Sequence, residues 1–574
     1  MKYVLLFFLA LLQVNGINAQ STNSLETGKQ LYANGDFERA IEVLKQSANP
    51  EAFLYTGKSY FSIAEFVTAS AFYRRAAASE TNELKQEAMF SLALSEFQLK
   101  NHTNALEVLY ELSQASPPTR AKESGRQFYA DYVRFLTMAD RFNVFKGTKY
   151  DQIRFDLIDA SLGQIDYESA RSLVDELKEV QTELSSFEIN KLEEQLSDSL
   201  LYWQRYNPSR IYPAPDGISY HIGVALPQFD QNSPQYNIVQ SIFFGIQLAV
   251  ETFNEEHFNK KVFISYANTN IDQPQSALTD LVWNKRVDAV IGPLFSETGI
   301  LFSEIAEEYE IPLVLPLANS DTLNLDKNYS FQINPTFRIQ GERMAQFAVN
   351  NLGLDTLAVI AEAGALGAAS ARSFRFTAEQ LGATVLYYFE EDFASLGYDI
   401  TEFTQFLTTN PLDSLPMAQA VYAPFTGAIS QTLISSLLTD LEGLQSSVIV
   451  LGSEEWETVD LSSRELLQTS GYYSKSFLEP DSNNVASQSF QSNYRVRFGA
   501  EPTSFSSIGF DAANLVLATL LDVQNPALLK DGLKRTVNLK GLSSTISFDG
   551  EHINQRVTIL PLNRSVELPE VIEE

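Results

Sequence analysis

The hydrophobic pattern of this 574-residue chain changes its period once, near residue 206. From about residue 25 to 205, apolar residues recur at three- and four-residue spacing, which predicts an almost entirely helical region. The segment 206–220, YNPSRIYPAPDGISY, contains three prolines and a glycine and predicts a linker over about 206–218. Beyond it, apolar runs of strand length alternate with amphipathic helices. That alternation predicts an α/β region built on parallel sheets that are covered on both faces.

The first twenty residues, MKYVLLFFLALLQVNGINAQ, contain one lysine, an apolar run and a small residue, Ala19, before Gln20. This is typical of a secretory signal peptide over residues 1–19. The alternative is a membrane anchor, but the run is too short to span a bilayer comfortably. The chain contains no cysteine, and bacterial lipoproteins carry their lipid on a cysteine. We therefore expect a periplasmic protein that is not inserted in a membrane after cleavage.

The charge balance limits the function classes. There are 41 basic and 72 acidic side chains, which gives a net charge of −31. Nucleic acid or anionic lipid would require a basic face, so neither is expected as a partner. The four histidines are scattered, and neither a zinc-protease motif nor a serine-hydrolase elbow occurs. We predict that the protein is not an enzyme and that it uses no metal and no cofactor.

The predicted helical region, residues 20–205, contains an internal repeat. Segments 28–47, 57–76 and 93–112 align, with a small residue at the first position of each and an alanine twelve positions later. These alanines are Ala40, Ala69 and Ala105. The pattern resembles the tetratricopeptide repeat, and the alternative is an unrelated helical bundle. The resemblance implies a curved solenoid whose concave face receives a peptide or protein partner.

The α/β region carries a second resemblance. The segments IGVALP, GIQLAVETFNEE and VDAVIGPLFSETGILFSEIAEEYEIPLVLPLANSDTL, in this order, resemble the type I periplasmic binding proteins, particularly the branch that binds leucine, isoleucine and valine. The resemblance covers about 219–562 and implies two doubly wound lobes. The lobe boundaries that it implies are about 219–334 and 475–540 for lobe 1, about 336–472 and 541–562 for lobe 2, and 563–574 for an acidic tail. It places the chain crossings near Asn334-Pro335, Gly471 and Gly541.

Small polar side chains follow two of the apolar runs. Ser296 and Thr298 follow the first, and Asn319 and Ser320 follow the second. In open parallel sheets, ligands bind beyond the carboxyl ends of the strands, so these four residues are candidate ligand contacts. The alternative is that they are helix N-caps. Both roles are compatible, because a helix N-terminus with spare amides and hydroxyls also receives carboxylates.

Two further candidates lie in the second lobe. Tyr422 and Glu454 follow or end apolar runs at corresponding positions. The resemblance implies that an acid here takes the ammonium of an amino-acid ligand, with Glu455 as another candidate and Trp456 as a wall. The alternative is an acidic solvated loop. Segment 361–374, AEAGALGAASARSF, is rich in alanine and glycine where relatives usually place an aromatic-containing turn, which leaves the ligand class open.

These observations predict an exported, non-catalytic binding protein. Its two-lobed module would bind a small solute such as an amino acid or a cell-wall fragment, and its helical repeats would engage a protein partner. An alternative comes from the domain combination, which is similar to the outer-membrane activators of penicillin-binding proteins. On that interpretation the protein is an adaptor in peptidoglycan synthesis whose ligand site is degenerate or absent.

Overall fold

A computed structural model describes the greater part of the chain. The described residues are 24–163, 167–179, 214–215, 218–257, 260–407, 417–444, 446–458 and 470–563, with five single positions between 189 and 196. The predicted signal peptide, most of the predicted linker and nearly all of the predicted acidic tail lie outside these residues. The class prediction is confirmed: the amino-terminal part is helical, and the part after it is an α/β fold with two largely parallel sheets.

The helical region, residues 24–179, is a succession of helices, most of which pack on the next helix along the chain. The bounds are α1 (24–33), α2 (Phe37–Leu44), α3 (Pro50–Ser62), α4 (Phe66–Ala76), α5 (Asn82–Gln98), α6 (His102–Gln114), α7 (Arg120–Phe135), α8 (Met138–Gly147), α9 (Asp151–Gly163) and α10 (Tyr167–Glu179).

Small residues allow these helices to approach closely. A Cβ at Gly28 would collide with the side chain of Leu44, and one at Gly57 would collide with the ring of Tyr73. The three repeated alanines, Ala40, Ala69 and Ala105, are fully buried in the second helix of each pair. The packing is therefore that of helical hairpins. The assignment to the tetratricopeptide family stays a prediction.

Lobe 1 contains a five-stranded parallel sheet of order β2-β1-β3-β4-β5. Its strands are β1 (Tyr220–Leu226), β2 (Val262–Asn268), β3 (Ala289–Ile291), β4 (Leu313–Leu315) and β5 (Ser330–Gln332). Its main helices are α11 (Pro234–Glu256), α12 (Gln275–Thr279) and α13 (Ser296–Glu308), joined later in the chain by α18 (Val485–Phe498), α19 (Ser504–Val523) and α20 (Leu529–Lys534).

Helices α11 and α19 cross in direct contact, because a Cβ at Gly245 or Gly509 would collide with the backbone of the other helix. By length and composition α19 is also apolar enough to cross a membrane, but 67% of its most apolar stretch is buried. Its buried residues belong to the same core cluster as Ile222 and Phe331 of the sheet. The apolar character of α19 therefore reflects its place in the core of lobe 1.

Lobe 2 contains a six-stranded sheet of order β13-β10-β9-β8-β6-β7. Among the described pairings of this sheet, that of β13 with β10 alone is antiparallel. Its strands are β6 (Thr356–Glu362), β7 (Thr384–Glu391), β8 (Ala420–Ala423), β9 (Ile449–Gly452), β10 (Gly471–Lys475) and β13 (Thr558–Pro561). Its helices are α14 (Phe337–Gln346), α15 (Gly367–Gln380), α16 (Thr401–Thr404) and α17 (Ser430–Gly443). Separate core clusters lie on the two faces of this sheet.

The chain passes between the lobes at 333–336, after Lys475, and at 554–557. The first crossing contains Asn334-Pro335, while the other two predicted points, Gly471 and Gly541, lie inside lobe 2 and lobe 1. Gly471 begins a strand inside lobe 2. Gly541 lies in a hairpin, β11 (Leu539–Lys540) and β12 (Thr545–Ile546), that packs on lobe 1. The segment following this hairpin remains with lobe 1 up to Ile553, which bridges to β5.

The helical region contacts lobe 1 directly. The ring of Phe66 packs edge-on against the rings of His221 and Phe263, each at 5.8 Å between centroids. The ammonium of Lys100 donates to the carbonyl of Val287 at 3.2 Å and pairs with Asp288 at 3.3 Å. These contacts join the helices to the amino-terminal edge of the lobe 1 sheet.

Candidate functional site

The lobe 1 side of the cleft is formed by the start of α13. The residue before this helix, Phe295, is extended, with φ −98° and ψ 143°, and provides no side-chain cap. Ser296 is the first helical residue, so the capping role weighed for it is wrong. Because no side chain caps this helix, the amides of its first turn remain available to an acceptor from outside. Thr298 lies in the same turn and is half-buried.

The structure brings two of the predicted residues into contact. The Oγ atom of Ser296 accepts a hydrogen bond from the backbone amide of Asn319 at 3.2 Å. Ser320 is one residue further along, with its Oγ 2.9 Å from Oγ1 of Thr322. Ser296, Asn319 and Ser320 are all half-buried. The loops that follow β3 and β4 therefore form one polar rim at the carboxyl edge of the sheet.

This rim is supported by residues that the sequence reasoning missed. The buried amide of Gln332, at the end of β5, donates to the carbonyls of Ala318 and Ser320, each at 3.1 Å. Asn334 donates to the carbonyl of Leu317 at 2.9 Å. Both lie in the run SFQINPT, where polar residues interrupt an apolar strand. Amides in such a position are a signal, since a buried amide requires hydrogen-bond partners.

A glycine fixes the approach of the loop after β3. Gly292 has φ +102°, which disfavours any residue with a side chain. A Cβ at this position would also collide with the carbonyl of Ala225 in β1. The loop can therefore lie against the end of β1 only because residue 292 is glycine, and this brings Ser296 to the sheet edge.

On the lobe 2 side, Glu454 begins a short 3₁₀ helix, Glu454–Thr458, directly after β9. Its side chain is exposed. Partial desolvation raises the pKa of this carboxyl, and the nearby ammonium of Lys475 opposes that shift. Lys475 itself is ion-paired with Glu457. The carboxylate of Glu454 also accepts a backbone hydrogen bond from Ser476, and it forms no ion pair within the described part of the chain.

The prediction for Tyr422 is wrong. This side chain is 1% exposed and stacks on Phe374, with ring centroids 4.4 Å apart. Burial raises the pKa of its hydroxyl, as expected for a phenol inside the core. Tyr422 lies in the middle of β8 and faces the side of the sheet that α15 covers, so it cannot reach the cleft. It belongs to the core of lobe 2.

Trp456, predicted as a wall of the site, is also in the core. Its indole Nε1 donates to the carbonyl of Ala423 at 2.9 Å. The ring occupies the space beside Gly452, where a Cβ would collide with it. Glu455, the other acidic candidate, is half-buried in the same 3₁₀ helix. Of the lobe 2 candidates, Glu454 is the one whose side chain is exposed at a strand end.

The alanine- and glycine-rich segment 361–374 has a packing role. Gly367 begins α15, and a Cβ there would collide with the carbonyl of Pro424. Its amide donates to Oγ1 of Thr426 at 3.0 Å. The helix therefore starts in contact with the loop after β8. Glycine at position 367 therefore lets the chain turn into α15 close to that loop.

An ion pair between the lobes was also missed. Arg338 in α14 of lobe 2 lies 3.5 Å from Asp321, the residue after Ser320 in lobe 1. Arg338 also pairs with Glu342 at 2.9 Å. At the second crossing, Gln340 donates to Oγ of Ser476 at 3.4 Å. The polar rim of lobe 1 is thus connected to lobe 2 next to the crossings.

Comparison with solved structures returned many bacterial solute-binding proteins. One is a putative branched-chain amino acid ABC transporter from Rhodospirillum rubrum, 21% identical, covering 60% of this chain and 96% of its own, with a TM-score of 0.47. Another is an ABC transporter substrate-binding protein from Desulfitobacterium hafniense in complex with Leu, with 19% identity, coverage of 59% and 96% and a TM-score of 0.42. A third is a solute-binding protein from Rhodopseudomonas palustris BisB5 in complex with 3,4-dihydroxybenzoic acid, with 15% identity, coverage of 60% and 92% and a TM-score of 0.40.

The comparison with curated proteins gave no match. A family model described as periplasmic binding protein matches residues 221–563, which is more than half of the chain and spans both lobes. Members of this family are solute-binding proteins without enzymatic activity and are typically periplasmic. The chain therefore belongs to the periplasmic binding protein family.

Proposed function

We propose that this protein is an exported solute-binding protein whose two lobes close around a small molecule. The observation that carries the proposal is a complementary pair of charges at the two strand edges. Lobe 1 offers helix amides without a side-chain cap, and lobe 2 offers Glu454 without an ion-pair partner among the described residues. A helix N-terminus favours anions, and a free carboxylate favours cations. A ligand that carries both charges, such as an amino acid, fits this arrangement.

The hydroxyl of Ser296 supports an anionic group on the ligand. Its oxygen already accepts the amide hydrogen of Asn319, so its own hydrogen is free to point elsewhere. A ligand carboxylate beside the first turn of α13 would receive that hydrogen together with the free amides. Hydrogen bonds to an ionised acceptor are about twice as strong as neutral ones. Thr298 and Ser320 are the next nearest hydroxyls along the same rim.

Glu454 supports a cationic group at the opposite end of the ligand. Lys475 is the cation that would otherwise neutralise this carboxylate, but its ammonium is ion-paired with Glu457. Desolvation has already raised the pKa of Glu454, so a bound ammonium would lower it again. Binding would therefore favour the ionised form and release protons near the acidic end of the pH range.

Calorimetry with a defined ligand panel tests this proposal. We expect at least one L-amino acid, short peptide or cell-wall peptide to bind wild-type protein. Glu454→Gln and Ser296→Ala should weaken that binding, while Glu402→Gln, an exposed acid in α16, should not. A ligand at a hundred times its dissociation constant should also stabilise the protein by about 2.7 kcal/mol. Unchanged affinity in both site variants would show that the cleft is not the site.

A second function is favoured by the contact between the helices and lobe 1. Because Phe66 and Lys100 join the two parts, a partner held by the helical region would sit at a fixed position relative to lobe 1. This arrangement suits an adaptor, including one that acts on a penicillin-binding protein. Cross-linking in the native periplasm and identification of the attached protein would test it. If ligand binding fails and a partner is found, the adaptor function replaces the solute-binding one.

A further inference from the structure

A cavity of about 610 Å³ lies between the helical region and lobe 1. It is on the opposite side of the sheet from the cleft, because it is bordered by residues at the amino-terminal ends of the strands. These include Tyr220 at the start of β1, Pro312 just before β4 and Tyr329 just before β5. Its volume is within the range of about 300–1,000 Å³ for small-molecule pockets, and such pockets favour domain interfaces.

The walls of this interdomain cavity are rich in aromatic rings. The helical region contributes Phe97 and Phe135, and lobe 1 contributes Tyr220, Tyr309 and Tyr329. Aromatic side chains bury large apolar areas at little entropic cost, and tyrosine adds a polar atom at its tip. A flat, partly apolar ring is the shape that such walls accommodate.

One polar group in the cavity lacks a protein partner. Tyr220 is 3% exposed, and no described residue forms a hydrogen bond with its hydroxyl. Burial, together with the charge of Asp288, raises its pKa to about 12, so the hydroxyl stays protonated and can donate as well as accept. The hydroxyl of Tyr220 is therefore available to a ligand group or a water in the cavity.

The charged residues around the cavity are largely paired with one another. Lys100 pairs with Asp288, and Lys530 lies 3.5 Å from Asp531. Burial lowers the pKa of His102, while the charge of Asp140, 3.6 Å from its Nε2, opposes that shift. Three cations (Lys100, Arg286 and Lys530) therefore face four carboxylates (Asp140, Asp288, Glu310 and Asp531). This balance disfavours an anionic ligand.

Arg286 and Glu310 form no ion pair within the described residues, although the Arg286 guanidinium lies over the ring of Trp283, 5.5 Å from its centroid. Both have left-handed backbones, with φ of 55° and 52°, at turns that lead into β3 and β4. Glycine is the usual residue in that conformation after a helix. At these two turns the chain has an arginine, with five N–H donors, and a glutamate, whose carboxylate accepts, and both lie beside the cavity.

We propose that the interdomain cavity binds a neutral, polyhydroxylated ring, such as a mono- or disaccharide. Its hydroxyls would both donate to Glu310 and accept from Arg286 and Tyr220, and its less polar face would lie on the aromatic walls. The near balance of charge around the cavity matches an uncharged ligand. This site is separate from the cleft and independent of the function proposed for it.

Isothermal titration of the full chain tests the proposal, with glucose, N-acetylglucosamine, maltose and the β-1,4-linked dimer of N-acetylglucosamine as probes, up to about 10 mM. We expect one probe to bind. Arg286→Gln and Tyr220→Phe should each weaken its affinity at least fivefold, with Arg535→Gln as a matched arginine control. Glu454→Gln should leave it unchanged, because that residue faces the other site.

Ala527→Trp provides a second measurement, since this exposed residue borders the cavity and a large ring there would fill it. It should abolish sugar binding and preserve the melting temperature. Failure of all four probes to bind would overturn the proposal. Binding that survives Ala527→Trp, or that is lost in Glu454→Gln, would overturn it as well, because the sugar would then occupy another site.

Discussion

The side-chain oxygen of Ser296 and the backbone amide of Asn319 form a 3.2 Å hydrogen bond between two loops at one edge of the lobe 1 sheet. The two residues are 23 positions apart and follow different strands. The Ser296 oxygen accepts this bond and so holds the two loops together, while the hydroxyl hydrogen remains free to donate. A substitution at Ser296 therefore affects both the geometry of the rim and the affinity for a ligand.

Ser296→Ala should weaken binding of an anionic ligand in the cleft. It removes one hydrogen bond to the ligand and one within the rim, each with a net value of about 1 kcal/mol. We expect a loss of affinity of about fivefold to thirtyfold by calorimetry and a smaller change in melting temperature. Thr322→Ala is the control, because that hydroxyl contacts Ser320 and is further along the loop. Equal affinity in wild type and Ser296→Ala would remove Ser296 from the site.

Ala69→Phe should destabilise the helical region. Ala69 is fully buried between helices, and inserting a large ring in such a place typically costs about 1–3 kcal/mol. Chemical denaturation followed by circular dichroism should show the loss. Ala71→Phe on the same helix is the matched control, because Ala71 is exposed. Similar unfolding curves for the two variants would contradict the packing of α4.

The fold class was predictable from sequence because hydrophobic period is a local signal. The sequence shows apolar residues at helical spacing up to residue 205 and apolar runs of strand length after residue 219. It also shows where two of these runs end, near Ser296 and near Asn319. The end of an apolar run is visible in a few consecutive residues, and this is why Ser296 and Asn319 could be proposed as candidates from sequence.

Features that depend on distant packing were not predictable. Tyr422 lies in a strand buried on both faces, so there was no polar alternation to show which way its ring points. The third crossing was misplaced because Ile546 and Phe548 belong to the lobe 1 core, a contact made with residues far away in sequence. The Arg338–Asp321 ion pair and the contact of Phe66 with His221 are long-range for the same reason.

Phe66→Ala should loosen the helical region from lobe 1. The ring is 3% exposed and contacts Phe61, His221 and Phe263, so its removal leaves a cavity at the interface. Truncations of this kind cost about 3–5 kcal/mol. Limited proteolysis should then cut the predicted linker, 206–218, faster than in wild type. Val67→Ala is the control, because its side chain is 64% exposed. Identical cleavage rates in Phe66→Ala and wild type would contradict a stabilising interface.

The same interface should make stability fall in acid. His221 is buried beneath Phe66, and desolvation lowers its pKa to about 4. The charge of Asp288 and a backbone hydrogen bond with Lys285 oppose that shift, and the charges of Lys100 and Lys285 add to it. An unfolded histidine has a pKa of about 6.5, so the unfolded chain binds more protons than the folded one between these values. Stability is therefore present above the unfolded pKa and is lost as pH falls toward the folded pKa.

From pH 7 to pH 5, this one residue should cost about 2 kcal/mol of unfolding free energy. The pH dependence of wild-type stability combines the effects of several groups. Burial raises the pKa of Asp511 to about 6, so this group makes the fold more stable as the pH falls, which opposes the effect of His221. The contribution of His221 is obtained by comparing the acid loss of unfolding free energy in wild type with that in His221→Gln, because the contribution of Asp511 is the same in both proteins. Urea unfolding at both pH values should show a smaller acid loss in the variant. An equal loss in both proteins would mean that His221 is not the group whose protonation weakens the interface.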